Sequence, residues 1–450
     1  MTPRPADVLA LPGCPASGSR VPLYGQEFAV DPARVYAGLR RYGPLAPVEL
    51  APGIAATLVV GYDAALEVLR NPSTFPRDGR AWAAKVPEDC PVLPVMAYRP
   101  NCLMSDGEAH ARLRGVVTES LAKVDPNKVR AYVEASADML IKQFGARGEA
   151  DLLSEYAIAL PLWVFNYLHG CPRELGERMV AGMRGIVDMN EPEKANEDLT
   201  AALLELIALK RREPGSDMTS WMMAHPARLT DEELLHQLFL MLGAGTEPEA
   251  NLIANALRLL LSDDRFAGDL AGGSLPVEDA LDEVLWTDPP VANLSASYPV
   301  QDVHLSGVRL PADEPVVISY AAANTDPGFG AEHRAGNRAH LAWGAGPHAC
   351  PVQGLARLIA SIAIEKLLDG LTDMRLAVPV EQLPWRPGPF LRALSALPVR
   401  FTPLDVSGEE TVSVPAVTGV APTPVDRPAP VTTVARTSWK HAIIRWWRGQ

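Results

Sequence analysis

The sequence predicts a mainly α-helical protein with small β-sheets. Helical periodicity of the apolar residues dominates from residue 108 to about residue 372. One region of β-prone residues, 48–60, lies before this helical region, and a second, 303–319, lies within it. One apolar pattern continues for 33 residues, 230–262, which is long for a helix of a globular protein. We therefore expect a small N-terminal sheet, a large helical body, further strands and a final helix, in that order.

Short elements are predicted ahead of the helical body. Residues 1–24 are rich in Pro and Gly and are expected to be irregular. Residues 31–41 fit a helix that has Asp31 as its N-cap and a proline in its first turn. A hairpin is predicted over residues 48–60 around a Pro-Gly turn, and residues 62–69 are again helical.

The composition is that of a globular protein with a sizeable core. The chain has 450 residues, of which 48% are apolar, and a formal net charge of -13, which argues against nucleic acid as a partner. Its five cysteines are odd in number and have no disulfide-like spacing, which favours the reducing cytoplasm. The N-terminus lacks the apolar core of a signal peptide or membrane anchor. We therefore expect a cytoplasmic protein, and its richness in Ala, Pro, Arg and Gly is typical of GC-rich bacteria.

The most informative stretch is a glycine-punctuated loop, residues 340–350, which ends at Cys350 and precedes a predicted helix. Gly344 and Gly346 allow the backbone to approach a flat ligand closely, and His348 can donate to an anion on that ligand. A single thiolate in such a loop is how proteins present an axial sulfur to haem iron. The alternative is a buried cysteine that only packs. Zinc is disfavoured because no second Cys or His pair lies at ligand spacing.

This loop resembles the haem-binding loop of the cytochrome P-450 family, the haem-thiolate monooxygenases, which reads F-G-x-G-x-H-x-C. Trp343 stands at the phenylalanine position. The resemblance covers about residues 23–403, in a predicted haem-thiolate domain of residues 1–403. It implies the cytochrome P-450 fold: a triangular helical body, a long distal helix over the haem and a proximal cysteine loop. It also implies that haem b is bound, that Cys350 is the iron ligand, and that Trp343, Gly344 and Gly346 form the haem-binding loop.

The long predicted helix carries the second signal. Thr230 and Glu233 form a capping box at its start. Pro248 has no N–H to donate to the carbonyl of Ala244, so we expect the helix to open a groove at that point. The family's distal helix reads A-G-x-[D/E]-T where dioxygen binds, and Ala244, Gly245 and Glu247 match that pattern.

By this resemblance, Ala244 and Gly245 shape the oxygen groove and Glu247 is the candidate for proton relay. Pro248 replaces the family's threonine, and Thr246, two residues earlier, should point elsewhere. The alternative is a kinked core helix that has no catalytic role.

Residues 106–114 resemble the family's D-P-P-E-H-x-R-L-R pattern. His110 and Arg114 are four residues apart and share one helix face. Imidazole and guanidinium groups are good donors to a carboxylate. The resemblance implies that His110, Arg114 and His348 hold the haem propionates; the alternative is a solvated helix face.

The chain departs from the family at its E-x-x-R motif. The sequence reads Glu283-Val284-Leu285-Trp286, so a tryptophan replaces the arginine. We expect Glu283 to pair with an arginine of the loop before the cysteine, Arg334 first and Arg338 second, because an unpaired buried carboxylate is costly. Trp286 then fills the remaining volume. A small actinobacterial subgroup of the family looks similar at this position.

Two further departures lie near the expected haem. Ser297 stands where the family has a propionate-binding arginine. Pro351 follows the cysteine and removes one backbone donor close to the sulfur, which should lower the iron potential. By position in the family, residues 80–104 and 179–196 face the substrate, and they predict an apolar pocket that includes Trp82, Met96, Met183 and Met189. The alternative is that these are ordinary core residues.

The C-terminal residues have a different composition. Residues 404–433 form a Pro-rich linker, and residues 434–450 form a basic, Trp-rich tail. On a helix, Trp439, Ile443 and Trp446 share one face. This tail could contact the inner membrane surface or a protein partner. The alternative is a tail that packs on its own domain or frays.

The resemblance implies a monooxygenase that inserts one oxygen atom from dioxygen into an apolar small molecule, with electrons from a ferredoxin and its reductase. Two alternatives stay open. The missing threonine favours a peroxide-driven or rearranging haem enzyme. The departures taken together favour a haem-binding regulatory or scaffold protein that docks through its tail.

Overall fold

Helices make up most of the computed structural model, which describes residues 20–187, 192–267, 275–329 and 337–405. The prediction of a mainly α protein with small β-sheets is confirmed. The helices of the described residues are α1 (Gln26–Val30), α2 (Pro32–Leu39), α3 (Tyr62–Arg70), α4 (Arg80–Ala83), α5 (Leu93–Met96), α6 (Gly107–Leu121), α7 (Pro126–Phe144), α8 (Ala159–Leu168), α9 (Arg173–Val187), α10 (Pro192–Arg212), α11 (Met218–Met223), α12 (Asp231–Leu260), α13 (Asp264–Ala267), α14 (Leu275–Thr287), α15 (Tyr320–Asn324) and α16 (Gln353–Gly370).

Three small sheets accompany these helices. Their strands are β1 (Val21–Pro22), β2 (Leu45–Ala51), β3 (Ile54–Val59), β4 (Glu149–Asp151), β5 (Asn293–Ser297), β6 (Val303–Leu305), β7 (Val308–Leu310), β8 (Val316–Ser319), β9 (Arg375–Leu376) and β10 (Pro398–Arg400). The first sheet has the order β1-β2-β3-β8-β5 and joins the two β-prone regions of the sequence through the parallel pair β3 and β8. The other sheets are β4-β10-β9 and β6-β7.

The long helix α12 lies at the centre of the main hydrophobic core, where it packs against α8, α14 and α16. Its buried apolar residues include Ile253, Leu257 and Leu260, which recur at helical spacing and face these neighbours. The predicted capping box is present, with Thr230 N donating to Glu233 Oε2 at 2.8 Å and Glu233 N donating to Thr230 Oγ1 at 3.2 Å. The site described below is built around this rigid helix.

Local patterns predicted the early elements well. Asp31 caps α2, its side chain accepting a bond from Arg34 N at 3.0 Å, and β2 and β3 form the predicted hairpin. Helix α12 is continuous through Pro248. No described helix is long and apolar enough to cross a membrane. The predicted linker begins at residue 404 and is described only to residue 405. The rest of the linker and the tail at 434–450 lie outside the described residues.

Candidate active site

The loop before α16 holds Cys350 in a backbone turn that depends on glycine. Gly344 and Gly346 have φ angles of 70° and 69°, which side-chain-bearing residues rarely adopt. Cys350 N donates to the carbonyl of Trp343 at 2.7 Å, which closes the loop. Pro351 has no N–H, but the backbone N–H of Val352 acts to lower the pKa of the Cys350 thiol. Burial raises the pKa of the Cys350 thiol, so an adjacent cation is needed to hold it as a thiolate.

His110 and His348 meet beside this loop, with ring centroids 4.1 Å apart. Asp106 binds His348, with Nε2 and Oδ1 3.3 Å apart, and Arg114 donates to the carbonyl of Ala349. His110 is buried, and its Nε2 has no hydrogen-bond partner among the described residues. Burial, and then the charges of His348 and Arg114, lower the pKa of His110 to about 4. The structure thus brings the three predicted propionate ligands together.

Arg77 is a member of this cluster that the sequence patterns did not indicate. Its side chain is buried, and its Nη1 donates to the carbonyl of Ala296 at 3.3 Å, next to Ser297. Burial lowers the pKa of Arg77, while the carboxylate of Asp106 acts in the opposite direction. The cluster therefore contains two guanidinium groups and two imidazoles against one carboxylate. Arg77 supplies a cation close to the position where Ser297 replaces the family's arginine.

Helix α12 forms the opposite wall. Ala244 and Gly245 are exposed to the cavity, and a Cβ on Gly245 would meet no atom within 4 Å. Thr246 points away, as predicted, and donates to the carbonyl of Leu242 at 2.7 Å. Glu247 lines the cavity but is held by an ion pair with Arg386. The predicted relay residue is thus in place, with a cationic partner that the sequence did not indicate.

The two walls enclose one cavity of about 1480 Å³, which is larger than the ~300–1,000 Å³ typical of a small-molecule site. It reaches from Cys350 and His348 to Ala244 and Gly245. Of the predicted substrate-facing residues, Met183 lines it. The prediction that Trp82 and Met96 face the substrate was wrong, because both are buried in the core beside the first sheet. Met189 lies outside the described residues.

Comparison with known proteins decides the family. The chain is 34% identical over 391 residues to the cytochrome P450 monooxygenase PikC of Streptomyces venezuelae, covering 84% of this chain and 92% of PikC. The chain belongs to the cytochrome P450 family. No family model matches it.

Solved P450 structures agree. Testosterone-bound CYP154C4 from a Streptomyces species superposes with a TM-score of 0.78 at 28% identity, covering 85% of this chain and 98% of that chain. The myxobacterial P450 CYP267B1, in complex with myristic acid, gives a TM-score of 0.74 at 28% identity, covering 84% of this chain and 98% of that chain. This chain is therefore a P450-type monooxygenase, an oxidoreductase with the P450 fold.

Haem, which P450 proteins bind, fits the residues of this site. Cys350 offers a thiolate inside a cavity large enough for a macrocycle and a second molecule. The orphaned Nε2 of His110 and the buried guanidinium of Arg77 provide donors for carboxylates. When bound, haem supplies the iron at which dioxygen is activated.

The altered E-x-x-R region of this P450 holds an ion cluster. Arg357 and Arg338 lie 2.5 Å and 3.3 Å from carboxylate oxygens of Asp282, and both also contact Glu278. Glu283 lies instead 3.5 Å from Arg265. Arg338, the second candidate partner of Glu283, thus binds Asp282 and Glu278 among the described residues. Arg334, the first candidate partner, lies outside the described residues.

Glu249 is a second functional candidate that sequence reasoning missed. It lines the cavity of the P450, is only 6% exposed, and its Oε1 has no hydrogen-bond partner among the described residues. Burial raises the pKa of Glu249 well above its ordinary value, and the backbone amide of Ala360 only partly opposes this. Burial thus favours the protonated form of Glu249, whereas Glu247 is held in an ion pair with Arg386. The only sequence signal was a second glutamate two residues after Glu247.

Changing Gly346 to alanine should prevent the P450 loop from closing. An alanine Cβ there would overlap the carbonyl oxygen of Leu69, in addition to the backbone strain of the positive φ. Gly344→Ala is a matched control, because its φ is nearly the same but the nearest atom to its Cβ is 3.7 Å away. Strain alone costs about 1–3 kcal/mol. We expect Gly344→Ala to retain most of its haem and Gly346→Ala to retain little, measured as the haem-to-protein ratio after purification. Equal ratios would contradict the steric argument.

Proposed function

We propose that this P450 uses haem b to insert one oxygen atom from dioxygen into an apolar small molecule, with electrons from a ferredoxin and its reductase. One observation carries the proposal: Cys350, the cluster around His110 and the Ala244–Gly245 wall open into the same cavity. Cys350 would hold the iron, and His110, Arg114, His348 and Arg77 would hold the two propionates.

The residues above the haem would supply protons in an unusual way. The usual threonine hydroxyl is absent at Pro248, and the carboxylate of Glu247 is engaged by Arg386 and, at 3.3 Å, by Asn251. Glu249 is a second acid on the same helix, and its burial raises its pKa and favours the protonated form. We assign the proton reserve to Glu249 and the exchange with solvent to the Glu247–Arg386 pair.

The lining of the cavity supports an apolar substrate. Most of its side chains are aliphatic or aromatic; examples are Leu103, Met183, Phe239, Leu240 and Leu294. Burying an apolar ligand among them is favourable by roughly 25 cal/mol per Å². The ligands named for the related structures, testosterone and myristic acid, are both largely apolar.

The surface beside Cys350 supports an acidic redox partner. Residues 118–126 form a shallow groove with Pro351 and Val352 on the side of the cysteine. Lys123 and Lys128 are exposed along this segment, and Arg70 is exposed beside Gly346. These three cations attract an acidic protein and orient it near the iron ligand.

The test is turnover of testosterone and myristic acid by the haem-loaded chain under isotopically labelled dioxygen. We expect one labelled oxygen atom per product molecule when ferredoxin, reductase and NADPH are supplied. At limiting ferredoxin, Lys123→Glu should lower the turnover rate about 3–10-fold, because charges at the rim of an interface act on the association rate. Product with hydrogen peroxide alone would instead support the peroxide-driven alternative. If a chain with thiolate-bound haem gave no product with either the ferredoxin system or hydrogen peroxide, the result would support the regulatory alternative.

A further inference from the structure

Arg99 lines the cavity with a charge that no described acidic side chain neutralises. It lies between α5 and α6, and its guanidinium carbon is 4.8 Å from the ring centroid of Phe239, which also lines the cavity. Burial lowers the pKa of Arg99 to about 10, with no contribution from any carboxylate. The guanidinium therefore remains protonated at neutral pH, and no described residue forms an ion pair with it.

The other arginines on the cavity wall have partners. Arg386 binds the carboxylate of Glu247, and Arg114 donates to the carbonyl of Ala349. His236, one turn before Leu240 on α12, adds no opposite charge to Arg99. Burial, and then repulsion by Arg99, lower the pKa of His236 to about 4, so its imidazole is neutral. Arg99 thus differs from the other arginines of the wall in that no described residue balances its charge.

An unpaired cation in an apolar cavity is unfavourable unless a ligand supplies the opposite charge. The planar fork of arginine matches a carboxylate, to which it can donate two parallel hydrogen bonds. The surrounding wall is apolar, as described above, so the rest of such a ligand would be hydrocarbon. Charge and lining together fit a molecule with one anionic end.

We propose that Arg99 anchors the carboxylate of an amphipathic substrate, such as a medium- or long-chain carboxylic acid. This rests on the proposed function, because it names the substrate class of the same cavity. Phe239, beneath the guanidinium, precedes Gly245 by six residues, which is ~9 Å along the helix axis at its usual rise. The anchored end therefore lies away from the iron, and oxidation falls on a carbon remote from the carboxylate.

The test is isothermal titration calorimetry of the haem-loaded full chain with dodecanoate and with dodecanol, which share a hydrocarbon chain and differ in charge. Octanoate and hexadecanoate, with their alcohols, extend the comparison. We expect the acids to bind more tightly than the alcohols. Arg99→Met should weaken binding of the acids by about 10–100-fold, the worth of hydrogen bonds to a charged group, and leave the alcohols unchanged. Arg99→Lys, which keeps the charge, should recover part of the loss.

Arg80→Met is the matched control. Arg80 is exposed, pairs with Asp78 and lies over Tyr98, so its loss changes the net charge equally without altering the cavity wall. The proposal is overturned if no acid of the series binds better than its alcohol, if Arg99→Met weakens acids and alcohols alike, or if Arg80→Met has the same effect. Calorimetry does not depend on turnover, so the anchor can fail while oxygenation is observed, or hold while oxygenation fails.

Discussion

Replacing Cys350 by serine is expected to abolish the strongly red-shifted Soret band of the reduced protein with bound carbon monoxide. A serine hydroxyl keeps its proton where a thiol beside iron does not, and it is a much poorer electron donor. Loss of groups that only support a metal ligand already costs ~10–100-fold in affinity or activity. Loss of the ligand itself should therefore reduce turnover by more than ~100-fold. The measurement is the carbon monoxide difference spectrum of purified protein.

Cys102→Ser is the control for this experiment. Cys102 is buried and lines the same cavity, and its backbone N–H donates to Gln237 Oε1 at 3.0 Å. Burial raises the pKa of the Cys102 thiol, so it stays protonated. We expect this variant to keep the red-shifted band. The reverse result, with the band lost in Cys102→Ser and kept in Cys350→Ser, would move the iron ligand to Cys102.

The parts of the site that are local in sequence were predictable. The cysteine loop needs two residues in the left-handed conformation and a following helix, all within about fifteen positions. Glycine is the residue that adopts this conformation readily, so its presence in the sequence indicates the turn. His110 and Arg114 are four apart on α6, so their shared face follows from helix geometry. The capping box of α12 is equally local.

The parts that depend on contacts between distant segments were not predictable. Arg77 reaches Ala296 across 219 positions, so nothing near Ser297 indicates that a cation is supplied from elsewhere. Asp282 and Glu283 are adjacent on α14, and which of them turns inward is decided by Arg357 on α16. Arg99 carries no motif at all. What singles it out is that no described residue forms an ion pair with it, which only the packed structure shows.

Trp286 shows most clearly how this chain differs from the usual P450 pattern. Its indole is 1% exposed, and its Nε1 donates to the carbonyl of Asn337 at 2.7 Å. The ring packs near Phe329 and makes an edge contact with His340, with centroids 6.2 Å and 5.6 Å away. The prediction that Trp286 fills the volume is thus confirmed, and the indole also ties α14 to the segment before the cysteine loop.

Restoring the family's arginine should therefore destabilise this protein. In Trp286→Arg, the new guanidinium would enter a space shaped for an indole, while Asp282 and Glu278 already have Arg338 and Arg357 as partners. Losing a buried aromatic ring costs ~3–5 kcal/mol, and a poorly paired buried charge adds to this. We expect the free energy of unfolding in urea to fall by at least ~3 kcal/mol.

Trp286→Phe separates the two roles of the indole. It keeps an aromatic ring and removes the N–H, so the expected loss is only about 1 kcal/mol, the net worth of one hydrogen bond. If Trp286→Arg were instead as stable as the parent, Glu283 would have left Arg265 to pair with the new arginine, and the tryptophan would be a replaceable filler. A large loss for arginine with a small loss for phenylalanine would show that Trp286 joins α14 to the cysteine loop of this P450 by its packing and its one hydrogen bond.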